Sequence, residues 1–370
     1  MNKTSSVFDH FDKFADRIPS PIRKPLEKEW RPLRDLFLKR RAARLVVVGR
    51  SAERFAREHF FGPAPEGESA PPFPPSHGTP WTTFDHQGKL QLVFATGGEA
   101  ETARNAIATA APDLFVFLAE GPEPSPEEEA LLEKLHRFDR DRHASSAPLV
   151  AVCEEDRAAP LSDALHADPA LSASLVTILP ITQREAILTA IARALPDEAR
   201  MEFARVTGEK AIQREIASAL TRSTTAVCAA IGAQPIPFAD LPVLTALQVA
   251  MVAGIIQVSG RPWSLATARD FVAALGVNIG AGLALREGTR AAIKLLPGWG
   301  NAISGTIAGA GTYALGRASA AYFIEGLPLE EARRRLKLYR SRKAKELADA
   351  PPEPPAEALP DTSSSEPPLT

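Results

Sequence analysis

The chain has 370 residues, enough for two domains and tails, and its 45 % hydrophobic and 24 % charged residues are ordinary for a globular protein. A formal net charge of −2 provides no global basic field for nucleic acid. The two cysteines, Cys153 and Cys228, lie far apart without metal-ligand spacing, which fits a reducing cytoplasm and argues against a cysteine-based metal site.

The opening "MNKTSSVFDHFDKF" carries charges where a signal peptide needs an apolar core, so secretion is not expected. Ile22, Leu26, Trp30, Leu33 and Phe37 then form one apolar stripe at helical spacing, interrupted by Pro25 and Pro32. Residues 1–43 are therefore read as N-terminal helices packing on the C-terminal domain.

From 44 to 196 the pattern is α/β. Five apolar runs, "RLVVVG" (44–49), "KLQLVFATG" (89–97), "DLFVFLA" (113–119), "APLVAVC" (147–153) and "SLVTILPIT" (174–182), predict strands. Helical patterns at 99–111, 125–138 and 182–195 separate several of them, so a mostly parallel sheet with helices on both faces is expected. "TTFDHQGKLQLVF" predicts a hairpin about Gln87–Gly88 and thus one antiparallel edge. The Pro-rich insert at 62–80 reads as a mobile loop.

Residues 197–347 read as all-α. Leu241–Val258 is apolar nearly all round, broken by Thr245, Gln248 and Gln257, and about 27 Å of helix barely matches a bilayer core. Gln248 favours a buried helix over a lipid-facing one. Two later apolar segments each hold a G-x-x-x-G, Gly276/Gly280 and Gly305/Gly309, predicting close helix contact with each other or with Leu241–Val258. Arg317 argues against a simple membrane span. Residues 348–370 close with a segment of seven prolines and four acids without a base, which buries too little to fold and is expected to be disordered.

One further cluster is basic: Arg333, Arg334, Arg335, Lys337, Arg340, Arg342, Lys343 and Lys345. It reads as a solvated helix end or as a contact for an anionic leaflet or a partner. Nucleic acid is not expected, since Tyr339 is the lone aromatic among these residues. Glu127–Glu129 and Glu154–Asp156 read as solvated charge runs, and the seven scattered histidines suggest no metal.

Two resemblances rest on these residues. "LVVVG", "KLQLVFATGG", "PDLFVFLAEGPEPSPEEEALLEKL", "APLVAVCEEDR" and "VTILPITQREAILTAIARALP" resemble, in order, the elements of an Era-like or dynamin-superfamily GTPase domain over roughly residues 44–196. The resemblance implies a P-loop GTPase-like sheet, but its motifs are degraded. Counting G-x-x-x-x-G-K-[ST] from Gly49 puts Arg54, Phe55 and Ala56 at the second glycine, lysine and hydroxyl. The D-x-x-G aspartate falls on Phe94 or Ala95, and N-K becomes Cys153–Glu154 with Asp156 retained. Gly49, Arg50 and Ser51 remain only as a weak anion site, Ser51 reading more simply as an N-cap. "QPIPFADLPVLTALQVAMVAGIIQVSG" is similar to the opening of the YcjF-type domain, found fused behind bacterial Era-like GTPase domains and membrane-associated in some members. That likeness covers roughly 210–330 and implies a helical companion domain.

The combined expectation is α/β followed by all-α: a nucleotide-independent pseudo-GTPase, without cofactor, metal or catalytic residues. It would act as an adaptor or scaffold at the cytoplasmic membrane face or for a partner GTPase. The alternatives are a divergent active GTPase and a membrane-embedded or membrane-remodelling protein.

Overall fold

Runs such as Leu45–Val48, apolar at every position, can be buried only where both faces of a strand are covered, and here both are. The computed structural model describes residues 40–61, 80–86, 88–96, 100–120, 125–232, 240–262, 264–275 and 300–349. The stripe from Ile22 to Phe37, nearly all of the 62–80 insert, Gly276, Gly280 and the tail after 349 lie outside the described residues.

The chain runs β1 (Ala43–Val48), α1 (Ala52–Phe60), β2 (Thr82–His86), β3 (Gly88–Ala95), α2 (Ala100–Thr109), β4 (Leu114–Ala119) and α3 (Pro126–His143). It continues through β5 (Leu149–Cys153), a 3₁₀ turn at Glu155–Arg157, α4 (Ala158–Ala167), α5 (Pro169–Ser174), β6 (Leu175–Pro180) and α6 (Arg184–Ala194). The six strands form one sheet in the order β2-β3-β1-β4-β5-β6. The β2–β3 hairpin is antiparallel, with His86 paired to Gly88 as the sequence leads one to expect, and every other pair is parallel.

Alternation sorts the strand side chains between two cores. Leu45, Val47, Val116, Val150 and Val152 join α1 and α6 on one face. Val46, Val48, Phe115, Phe117 and Ala151 join α2, α3, α4 and α5 on the other. The short helices α4 and α5 carry no strong sequence stripe, because only Leu161, Leu165 and Leu171 turn inward.

Six further helices follow: α7 (Asp197–Thr207), α8 (Lys210–Gly232), α9 (Asp240–Val258), α10 (Leu265–Ala274), α11 (Gly300–Phe323) and α12 (Leu329–Asp349). The chemistry does not change abruptly at 196. Helix α7 lies on β1 and β3, and its Met201, Phe203 and Ala204 belong to the same apolar cluster as Leu45, Ile187 and residues of α8 to α12. Charges pin the junction. Buried Glu202 accepts from the Lys89 amide (2.9 Å) and pairs with Arg205 (3.1 Å), while Arg41, its guanidinium held by Asp113 through two 2.7 Å bonds, donates its amide to Glu198 O at 2.9 Å.

The small-residue stripe of α11 meets α8 as well as the Leu241–Val258 helix, α9. Gly309, Thr312, Gly316 and Ser319 are all buried, and α11 packs most extensively along α8, then along its hairpin partner α12, with α9 third. A Cβ on Gly316, two turns along α11 from Gly309, would stand 2.3 Å from Thr221 Oγ1 of α8, so the two helices approach closely there. Gln248 of α9, the polar residue of that apolar helix, donates to Thr312 Oγ1 at 2.9 Å. Among the described residues no helix is long and apolar enough to cross a membrane.

Candidate functional site

Parallel strands bring their carboxyl ends to one edge, and the register here levels Val48 with Ala95 and Phe117, and Ala119 with Cys153. The chain leaves β1 for α1 and β3, then crosses to β4 on the opposite side of β1. That reversal opens the crevice in which open α/β sheets place their ligands.

The β1–α1 connection at this crevice is only Gly49, Arg50 and Ser51. Gly49 has φ of +137°, and a side chain there would collide with Leu118 of β4 at 2.8 Å, so only glycine can make this turn. Its amide donates to Ala95 O (3.1 Å), its carbonyl accepts from Ala52 N (3.2 Å), and Phe55 N donates to Ser51 O (2.8 Å). Residues 52–54 are thus already helical where a phosphate loop would still be open.

The remaining donors face carboxylates. Glu128 Oε1 accepts from the Arg50 amide at 3.2 Å and forms an ion pair with Arg50 Nε at 3.1 Å. Ser51 Oγ donates to Glu120 Oε2 at 2.6 Å and itself accepts from Arg54 at 3.0 Å. Ser51 occupies the N-cap position without a side-chain capping bond, because its hydroxyl is turned to Glu120. All three residues of the expected anion site therefore come together, with glutamates in place of an incoming anion. Glu120 was invisible to sequence reasoning. Glu128 corrects the reading of 127–129 as a solvated run: its side chain is 8 % exposed. The sequence signal was available, since a helix start attracts carboxylates and "SPEEE" opens α3.

Beside it, burial raises the pKa of Glu129, with Arg157 countering, and burial raises that of Cys153, again countered by Arg157. Phe94 and Ala95 end β3 with no carboxylate for magnesium, and Glu154–Asp156 are exposed as expected. Among the described residues no group of three or more His, Cys, Asp or Glu side chains could hold a metal ion.

The basic cluster lies on α12, and its members are not equivalent. Arg333 donates through Nε to Ala274 O at 2.8 Å, tying α12 to the end of α10. Arg335 pairs with Glu325 (3.0 Å) and Glu331 (3.6 Å), and Arg334 with Glu331 (3.4 Å). Lys337, Arg340 and Arg342 are exposed. Lys343 and Lys345 continue the helix. Arg317 of α11 lies over the Tyr339 ring at 5.4 Å, an internal partner for the charge of that apolar helix.

No protein-family model matches the chain. Over 109 residues it is 32 % identical to Magnetosome membrane protein 22 of Magnetospirillum gryphiswaldense. The match takes in 27 % of this chain and 54 % of the relative, so the chain spans about half the length of the curated relative it matches.

Proposed function

We propose that the protein is a nucleotide-independent scaffold, a degenerate G-domain-like sheet fused to a helical half, acting at a membrane surface or on a partner GTPase. The observation that carries this reading is the β1–α1 connection, in which Glu128 and Glu120 hold the donors of Arg50 and Ser51. A nucleoside triphosphate carries about four negative charges and needs lysine, metal and free loop amides around them. Here it would meet two carboxylates and a loop three residues long. The mixed sheet with its antiparallel β2 edge supports the G-domain likeness, and the name of the magnetosome relative supports work at a membrane. A divergent active GTPase draws less support, because Phe94 and Ala95 offer magnesium no ligand. Under this reading the protein requires no cofactor.

The test is titration of a fluorescent GTP analogue with magnesium into the purified full chain. The expected result is no saturable binding in the micromolar range. Micromolar, magnesium-dependent binding that is lost in Arg50→Ala or Ser51→Ala would overturn the reading.

A further inference from the structure

Helix α12 separates its residues cleanly. Ala332 is buried, Leu329 and Leu336 pack into the core, and Tyr339 meets the Tyr313 ring of α11 edge-on at 6.5 Å. These positions recur at three- and four-residue spacing and fix the inward face. The outer side carries Lys337 and Arg342, exposed and without an ion pair among the described residues, whereas Arg340, four residues after Leu336, is exposed at the edge of the inward face. Among them sits Leu338, 54 % exposed. The described residues expose three large apolar side chains, and two of them, Leu338 and Ile307 (41 %), belong to the α11–α12 hairpin. With Tyr313 level with Tyr339, Ile307 lies about two turns along from Leu338.

We infer that this outer face of α12 docks flat on an anionic bilayer, Leu338 entering the headgroup boundary while Lys337 and Arg342 neutralise lipid phosphates and carboxylates. An exposed leucine flanked by long cationic side chains is the arrangement of helices that lie in the interface plane. A purely acidic protein or nucleic acid would use the cations but has no call on the leucine. Arg333, Arg334 and Arg335 take no direct part, since they already bind Ala274, Glu331 and Glu325. The inference rests on the membrane half of the proposed function. It is independent of nucleotide.

Flotation of the full chain tests it, using vesicles of equal parts phosphatidylserine and phosphatidylcholine against pure phosphatidylcholine, in nucleotide-free buffer. Binding is expected only to the anionic vesicles and should weaken as salt shortens the Debye length below about 10 Å. Each cation near such a surface contributes roughly fivefold. The double variant Lys337→Gln/Arg342→Gln should therefore lose about 25-fold in partition, at an unchanged melting temperature. Leu338→Gln should lose about tenfold with the salt dependence preserved. Arg335→Gln should lower the melting temperature and leave partition nearly intact. Three results would overturn the inference: no preference for anionic vesicles, equal losses in Arg335→Gln and the double variant, or binding that resists both high salt and alkaline carbonate. Binding to polyglutamate that ignores Leu338→Gln, without flotation, would overturn it in favour of an acidic protein partner. None of these outcomes alters the GTP titration, so the two readings fail separately.

Discussion

Gly316 is the point at which the packing of α8 on α11 can be measured. An alanine there would put its Cβ 2.3 Å from Thr221 Oγ1, 2.5 Å from Cγ2 and 2.9 Å from Cβ. Rotating Thr221 moves the first two atoms but not the third, and its hydroxyl is held by Ala217 O at 2.7 Å. The helices must therefore separate. Overpacking of this kind costs about 1–3 kcal/mol, and three contacts this short place the cost near the upper end. Alanine returns about 1 kcal/mol of helix propensity, leaving a net loss of about 1–2 kcal/mol for Gly316→Ala. Thr221→Ala removes Oγ1 and Cγ2 and leaves only the Cβ contact, so the two substitutions should couple favourably by about 1–2 kcal/mol. Gly311 provides the control on the same helix. Its Cβ would meet nothing within 4 Å, and Gly311→Ala should stabilise by up to about 1 kcal/mol. Urea unfolding of the four Gly316/Thr221 combinations beside Gly311→Ala gives all of these values. If Gly316→Ala stabilises as much as Gly311→Ala, the two helices do not meet at this position and the argument fails.

Buried His136 has its pKa lowered, chiefly by desolvation, so between that depressed value and about 6.5 the unfolded chain binds the extra proton. This contribution to stability is complete above about pH 6.5 and falls as pH drops through that window. Asp139, raised by burial, works in the opposite direction by favouring the protonated folded state. His136→Leu should thus flatten the loss of melting temperature between about pH 7 and pH 5; an unchanged slope in a thermal-shift series would count against it. The thiols give a second check. Burial pushes Cys228 up to about 12 and also raises Cys153, so native protein should take up no maleimide at about pH 8 and the unfolded chain two equivalents by mass spectrometry. Prompt labelling of folded protein would contradict the packing around either residue.

Much of the sheet was legible because its strands are short apolar runs ended by polar or turn residues. β4, β5 and β6 fall within the segments picked out by apolarity, β1 and β3 each begin one residue before theirs, and the β2–β3 hairpin follows from Gln87–Gly88. Helices with weak stripes were not legible, α4 and α5 above all, because three leucines are enough to seat them on the sheet. At the site, sequence could point to Gly49, Arg50 and Ser51 by counting along the chain. It could not supply Glu120 and Glu128, which approach from β4 and α3 and are joined to the loop only by the fold. The glycines show the same limit. Spacing identified a small-residue face on α11, but which helix would fill it depended on Thr221, some ninety residues earlier.

The core shared across residue 196 has a consequence for the order in which the protein can be made. On the ribosome, β1 to α6 emerge with Leu45, Leu90 and Leu92 on a face that awaits α7 and the helices beyond it. Until those helices follow, the sheet presents an apolar surface of the kind that draws nascent chains into aggregates or chaperones. A ribosomal pause just after 196 would prolong that exposure, whereas a pause inside the 62–80 insert would precede the sheet altogether. Synonymous codon changes placed at those two points should therefore differ in soluble yield while encoding an identical protein.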